Sequence, residues 1–558
     1  MTRWGLLPFA GSITRPRFDV SPPAFYRHAV SDALPDYVRG LLDPVAYPQR
    51  PQEVELVQTH ISYVFLAGDV VYKTKKPVDF GFINQVSSEA RERFCHDEVR
   101  LNARLAPDVY LGVVPVVRTA EGRYAVEAPG EVVEWAVKMR RLPDGRTLDR
   151  VLATEGVPPH LAEWLVRRLI AFHETAAIVP NDPSYAGGPA ERAWWAREYS
   201  EATGFIGDTW RAEDAAATRA FVERTIEAEQ ALFDERLAQG RVVEGHGDLQ
   251  AKHVYLLDGG ETLAIVDCIE FTDWFHFRYL DIGYDIAFLA MDLEAQGYAG
   301  LGDEVAGRYL AVAHDETMGV LQPLHRAFRA FVRGKVESIG AHAPEMPDLE
   351  RKRLTESAAR YFRLAAEYGR RRTAPCLVVM AGLPATGKST VAGTLAARIG
   401  AAYLSSDATR KQLAGLDPRV RADDAFRAGL YGAEMTERTY AELRRRAALH
   451  LSAGRPVVLD AMHGRTGERA AALEIARSHG VPAVIAELRL AAAAARTRIE
   501  GRMDDPLRTS DATWELYALQ RDRFEPVRPE EGTHLAIDAS LDPAVLARTI
   551  ADALPRSS

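Results

Sequence analysis

Cysteine is nearly missing from this sequence. Cys95, Cys268 and Cys376 are the only three in 558 residues, and their wide spacing gives no metal-type or paired-thiol motif. That excludes a small disulfide-built scaffold and reads as reduced, buried thiols of a reducing compartment. Long apolar runs are missing too: none approaches the ~18 residues that a membrane-crossing helix needs. The opening stretch MTRWGLLPFAGSITRPRF holds too short an apolar core for a secretory signal. The expected location is therefore cytoplasmic, with no membrane partner. Excess positive charge is also lacking, with 69 Lys and Arg against 78 Asp and Glu and a net charge of −9. With no basic stripe interleaved with aromatics, a nucleic-acid partner is not expected. No internal repeat is present, which excludes a solenoid. What remains is 47% hydrophobic and 26% charged, ordinary for a globular chain and long enough for two or more domains.

The most informative stretch is 376–390, CLVVMAGLPATGKST. Leu377 to Met380 reads as a short buried strand. It runs into Gly382, Leu383, Pro384, Ala385, Thr386, Gly387, Lys388, Ser389 and Thr390, which fit G-x-x-x-x-G-K-[ST] at every fixed position. A helix is predicted from Ser389 to a stop at Gly400. Glycines let the backbone N–H groups curl toward a phosphate chain, and the helix N-terminus adds partial positive charge. Lys388 can then reach the β- and γ-phosphates, and the Ser389 hydroxyl can hold Mg²⁺. Nucleoside triphosphate binding is the expectation.

Upstream, residues 1–32 have no period and read as a tail or packing arm. VELVQTHISYVFLAGDVVYKTKK (54–76) alternates like strands, with a hairpin turn at Gly68-Asp69. Lys73 and Lys75 fall on one face. A helix is predicted from Ser88 to Leu105, and three further strand candidates follow in LGVVPVVRT, RYAVEAP and EVVEWAVKM. An antiparallel sheet with one helix after its third strand is the plan of a kinase N-lobe, where a strand Lys holds phosphates and a helix Glu holds the Lys. The glycine-rich loop of protein kinases is missing. Residues 160–240 read as helical; His173 reads as a core histidine with one satisfied nitrogen, and Trp194 and Trp195 as packing. In VEGHGDLQAKHVYLLDGGETLAIVDCIEF (243–271), Asp248 precedes a predicted hairpin and Asp267 ends it, with Glu270 just after. One loop aspartate to accept a hydroxyl proton and a second to hold Mg²⁺ is what phosphoryl transfer needs.

In order, THISYVFLAGDVVYKTKKP, CHDEVRLNARL, HGDLQAKHV, VDCIEF and DIGYDIAFL resemble the aminoglycoside phosphotransferase-like kinases, over roughly residues 35–340. The resemblance implies an α+β, protein-kinase-like bilobal fold that phosphorylates hydroxyls of small molecules with MgATP. It makes Lys73 the phosphate lysine, Glu98 its helix partner, Asp248 the catalytic base and Asp267 a metal ligand. It also implies that Asp285 pins the catalytic loop and that Val137-Lys138-Met139 is the adenine-binding hinge. The sequence departs from the family's HGDxxxxN: His253 stands where the Asn metal ligand belongs. Mg²⁺ prefers oxygen and imidazole suits softer ions, which admits Mn²⁺ at this site or a weakened kinase.

The expected organisation is a kinase-like domain at 33–345, a helical linker at 346–372 and an α/β P-loop domain with a parallel sheet at 373–558. In the last unit Asp460 ends an apolar strand, as a metal-water-holding aspartate does. Asp407, in SSDATRK, reads as the end of a neighbouring strand, a candidate base or a helix N-cap. Arg496, Arg498 and Arg502 lie within two helical turns and suit a mobile lid that neutralises a transferred phosphoryl group. GLPATGKST, SSDATRK, VVLDAMHGRTGER and SDATWELY resemble the small P-loop kinases that include polynucleotide kinase and the zeta-toxin group. That resemblance implies that Asp407 activates the acceptor hydroxyl. Three functions follow as expectations: a two-module phosphotransferase for small molecules, a single active P-loop kinase with a weakened N-terminal module, or a non-catalytic ATP-binding sensor.

Overall fold

The computed structural model describes residues 34–555 apart from 80–82, 182–185, 261, 271–277, 345, 419–429, 431 and 502–512. The expected tail at 1–32 and Arg502 lie outside the described residues.

The first unit opens with a six-stranded sheet built from β1 (Glu55–Gln58), β2 (Ser62–Ala67), β3 (Val70–Lys75), β4 (Tyr110–Arg118), β5 (Tyr124–Val126) and β6 (Glu131–Arg140). The order is β1-β2-β3-β6-β4-β5, antiparallel throughout. The Gly68-Asp69 turn closes β2 on β3 with Ala67 opposite Val70. Period-2 alternation then places Val71 and Lys73 on one face and Tyr72 on the other. Helix α1 (Ser88–Asn102) follows β3, with Ser87 capping its N-terminus through Ala90 N. It ends at Asn102, three residues short of the predicted Leu105.

Below the sheet lie α2 (Leu161–Thr175), β7 (Val242–Glu244), the hairpin β8–β9 (Val254–Leu257 and Thr262–Ile265), β10 (Tyr279–Asp281), α3 (Ile282–Ala295), α4 (Ala299–Val312) and α5 (Met318–Ala341). Trp194 and Trp195 pack as expected; Trp194 stacks on Phe328 at 3.7 Å between ring centres. Helix α6 (Asp348–Arg370) occupies the expected helical linker. Its Tyr361, Phe362, Leu364, Ala365 and Tyr368 are buried against the first unit's core, with Phe362 stacked on Trp210 at 4.6 Å. The physical reason is a strong apolar stripe on an otherwise Arg- and Glu-rich helix.

The second unit is a five-stranded parallel sheet ordered β12-β13-β11-β14-β15, from Ala402–Ser405, Val457–Asp460, Leu377–Ala381, Ala483–Arg489 and Thr533–Asp538. The wholly apolar β11 is buried on both faces, as parallel sheets require. Helices α7 (Lys388–Ile399), α8 (Ser406–Leu413), α9 (Ala492–Glu500) and α10 (Pro543–Asp552) flank the sheet and its edges.

The two units share their cores. Val378 and Met380 of β11 join one apolar cluster with Tyr309, Leu310 and Met318. Leu377, Val379 and Ala381 join another with Trp194, Phe328 and Tyr361. Helix α4 lies directly on α7: a Cβ on Gly307 would sit 2.1 Å from Thr394 N, and one on Gly393 would sit 2.3 Å from Gly307 O. Only glycine permits that approach. Polar ties join the units as well. Asp303 accepts from Arg326 at 2.6 Å and from Arg398 at 2.7 Å, and Tyr403 N donates to the Glu316 carbonyl at 3.0 Å.

Candidate functional site

Two clusters of the expected residues form, one in each unit. In the first, residues as far apart in sequence as Lys75 and Glu270, 195 positions, meet in the cleft between the sheet and the β8–β9 hairpin. Lys73 Nζ lies 2.9 Å from Glu98 Oε1 and 3.4 Å from Asp267 Oδ1. Burial lowers the Lys73 ammonium, but Glu98 and Asp267 outweigh it and hold its pKa well above the ordinary lysine value. The period-2 partner Lys75 is fully buried and pairs with the other Glu98 oxygen at 2.5 Å and with Glu270. Burial lowers it and the two carboxylates raise it, so Lys75 also stays charged. Glu98 is thus shared by two lysines. Sequence reasoning saw Lys75 on the correct face and Glu270 near Asp267, without the pairing that joins them.

The loop at His246–Asp248 is held from below. Asp285 accepts from His246 N at 2.7 Å and from Gly247 N at 2.9 Å. His173 Nε2 donates to the same carboxylate at 3.3 Å, and its Nδ1 accepts from the Tyr309 hydroxyl at 2.8 Å. Both His173 nitrogens are therefore engaged, where the sequence suggested one. Burial raises the Asp285 carboxyl; the His173 and backbone hydrogen bonds overcome that and bring it down to about 2. His246 Nε2 donates to the Val266 carbonyl at 3.0 Å, and Asp248 N donates to Nδ1 at 3.2 Å. Asp292, missed in the sequence, accepts from Ala251 N at 2.8 Å and fixes the far end of the loop.

His253 sits between the two aspartates. Its Nδ1 donates to the Asp248 carbonyl at 2.7 Å, and its Nε2 faces Asp267 Oδ2 at 3.5 Å. Burial, with Lys252 adding to it, pushes the His253 pKa down to about 4, so the ring is neutral at pH 7. With the proton on Nδ1, an imidazole lone pair faces a carboxylate. Asp267 is half-exposed, yet desolvation in the cleft raises its carboxyl. Lys73, with Lys252 adding to it, outweighs that and keeps it ionised well below the ordinary range. Two electron-pair donors facing each other at this distance suit a cation between them, so the donor set fits a divalent ion. Among the described residues no group of three or more His, Cys, Asp or Glu side chains surrounds one point. The remaining ligands would come from phosphate and water, as Mg²⁺ sites commonly arrange. Gln250 Nε2 donates to Asp248 Oδ1 at 2.7 Å, which orients that carboxylate.

The expected hinge needs correction. Val137, Lys138 and Met139 lie within β6, paired to β3 and β4. Met139 packs beside Tyr110 and Val137, and Lys138 pairs with Glu127 at 2.9 Å. The chain leaves the sheet only after Arg140, because apolar alternation continues to that point.

In the second unit, β11 delivers the 382–389 loop to the N-terminus of α7. A Cβ on Gly382, at φ +135°, would sit 2.5 Å from the Leu488 carbonyl. Gly387 caps α7 at φ +87°. Lys388 Nζ donates to its own loop's Leu383 carbonyl at 2.7 Å. Burial pushes its pKa down to about 8, against the pull of Asp460. Asp460, at the end of β13, accepts from the Tyr403 hydroxyl at 2.6 Å. Tyr403, a residue sequence reasoning missed, holds Asp460, and the oxygens of Ser389 and Asp460 suit Mg²⁺. His463, also missed, is buried and donates from Nδ1 to the Met380 carbonyl at 2.7 Å, bracing β11.

Asp407 differs from expectation. β12 ends at Ser405, and Asp407 lies in the first turn of α8. Ser405 supplies the N-cap through Ala408 N at 3.4 Å, because a short hydroxyl at that position reaches the open N–H. Asp407 pairs instead with the buried Lys411 at 2.9 Å. Among the lid arginines, Arg496 pairs with Glu500 at 2.8 Å. Arg498 reaches the loop, donating to the carbonyls of Ala385 at 3.5 Å, Thr386 at 3.4 Å and Ala539 at 2.9 Å.

Residues 377–527 match the family model described as AAA domain. The chain is 32% identical over 429 residues to an uncharacterized protein of Mycobacterium tuberculosis, covering 76% of this chain and 81% of that protein. The match to an uncharacterized protein of Mycobacterium bovis has the same figures. The chain belongs to the same family as these mycobacterial proteins. It is also similar to a solved choline/ethanolamine kinase family protein from Mesorhizobium loti, at 15% identity over 60% of this chain and 99% of that one, with a TM-score of 0.35. A gluconokinase structure from Sinorhizobium meliloti matches at 21% identity over 32% of this chain and 90% of that one, with a TM-score of 0.24.

Proposed function

We propose that this member of the mycobacterial family is an ATP-dependent phosphotransferase with two modules, each transferring a γ-phosphate to a hydroxyl of a small molecule. The observation that carries the reading is the meeting of Lys73, Asp248, His253 and Asp267 in one cleft, beside a separate phosphate-type loop at 382–389. Lys73, kept charged by Glu98, would bind the α/β-phosphates. Asp248, oriented by Gln250, would accept the acceptor's hydroxyl proton. Asp267 and the neutral His253 Nε2 would hold the divalent ion, Mg²⁺ or Mn²⁺. In the second module the loop amides and Lys388 would cradle the phosphates, and Ser389 and Asp460 would hold Mg²⁺. Asp407 would take the acceptor's proton, Arg502 would offset phosphoryl charge, and Arg498 would contact the nucleotide. In both, the ion when bound would neutralise charge on the bridged phosphates.

A second reading keeps catalysis in the P-loop module alone, with the first module weakened; His253 at an Asn position favours it. The test is a metabolite screen with labelled ATP on the full chain, run beside Asp248→Asn and Lys388→Ala. Two products, each lost in one variant, support two modules. One product lost only in Lys388→Ala supports the second reading, and no transfer to any acceptor refutes both.

A further inference from the structure

A cavity of about 550 Å³ lies where the two units meet, and its chemistry suits a nucleoside. One wall belongs to the P-loop unit: Thr386 and Gly387 at the loop's end, Thr390 in the first turn of α7, Arg498, and the 539–543 turn. The opposite wall belongs to the first unit, from residues 157–163 and from Glu304 and Arg308 of α4. We infer that the base and ribose of the triphosphate held at 382–389 occupy this cavity, so that the first unit builds half of the second unit's nucleotide site. This rests on the P-loop reading given above.

The geometry leads there in steps. A phosphate chain gripped by the loop amides must continue into a nucleoside, and the cavity begins at Thr386–Gly387. Its volume falls in the range of small-ligand sites. Arg498 is fixed by three backbone carbonyls at the cavity's edge, and a planar guanidinium suits stacking on an aromatic base. Val157 and Leu541 face the cavity from opposite units and are unusually exposed for apolar residues, at 52% and 54%. A flat base between them would cover both. Behind them runs a polar string across the first unit: His160 to Glu163 at 3.1 Å, Glu163 to Arg308 at 3.1 Å, and Arg308 to Glu304 at 2.6 Å. Its carboxylates offer acceptors to exocyclic amine and ribose hydroxyl donors.

The test is photolabelling of the full chain with 8-azido-ATP and Mg²⁺, with labelled peptides mapped by mass spectrometry. Label is expected in both 539–543 and 157–163, and both should vanish in Lys388→Ala. Label at 539–543 without 157–163 overturns this inference and leaves the P-loop reading intact. No label anywhere in the P-loop unit overturns that reading and this inference with it. A second variant, Pro159→Trp, fills the cavity from an exposed position. It should weaken the Lys388-dependent ATP affinity by about 10-fold with an unchanged melting temperature; unchanged affinity overturns the inference.

Discussion

Lys73 and Lys388 are both half-buried lysines facing a proposed phosphate site, and the protein holds them in opposite ways. Lys73 lies against two carboxylates and stays charged whether or not a ligand is bound. Lys388 is held by a carbonyl of its own loop, and burial brings it down to about 8. The first cleft is thus assembled by ion pairs before any nucleotide arrives. The second holds its lysine on a loop carbonyl instead of a carboxylate, still mostly charged at pH 7. One arrangement spends side chains from distant elements, and the other spends backbone from a single loop.

The largest way to separate the two is to remove the proposed chemistry from one at a time. Asp248→Asn should cut transfer by the first module by about 10²–10⁴-fold, and Lys388→Ala should cut that of the second by about 10²–10³-fold. Each should leave the other module's product unchanged in the labelled-ATP assay. Equal loss of both products in either variant would merge the two sites into one.

The next effect concerns stability. Lys75→Met leaves Glu98 and Glu270 buried without their shared partner, and should destabilise the fold by about 3–5 kcal/mol. Thermal denaturation would read this as a clear drop in Tm. Lys73→Met should cost less, since Lys73 is partly exposed and Lys75 still neutralises Glu98. The reverse order would mean that the first cleft is not organised around the buried pair.

These contrasts mark how far the sequence could be read. The 382–389 loop was legible because its whole motif lies in eight consecutive residues. Asp248 and Asp267 were legible because a hairpin of known length separates them. Lys75 was seen on the right face, but its partner Glu270 lies 195 residues away, and pairing at that distance leaves no local signature. Tyr403 and Asp292 act through contacts between elements for the same reason. Asp407 was placed at a strand end because SSD suits either a strand end or a cap; the structure gives the cap to Ser405. Helix α6 was read as a helical linker; the aromatic stripe that joins it to the core leaves no motif in the sequence. The cavity wall at 157–163 carries no motif at all.

Smaller effects sharpen the comparison. Tyr403→Phe removes one hydrogen bond to Asp460 and should slow the second module by a factor corresponding to about 1 kcal/mol, with the first module unaffected in the same assay. Proton uptake should also differ between the sites. Phosphates favour the charged form of Lys388, so ATP binding there should take up protons as pH rises above about 8. Lys73 is already charged and should add none. Without ligand the sign is opposite for folding. A depressed Lys388 binds fewer protons when folded, so this group makes stability rise with pH above about 8. Calorimetry in buffers of different ionisation enthalpy checks the uptake.

The most direct measurement is the number of nucleotides bound per chain. Equilibrium dialysis of the full-length protein with labelled ATP analogue and Mg²⁺ should give two per chain, falling to one in Lys73→Met and to one in Lys388→Ala. A single nucleotide per chain in the unmodified protein, abolished by Lys388→Ala alone, would contradict the account.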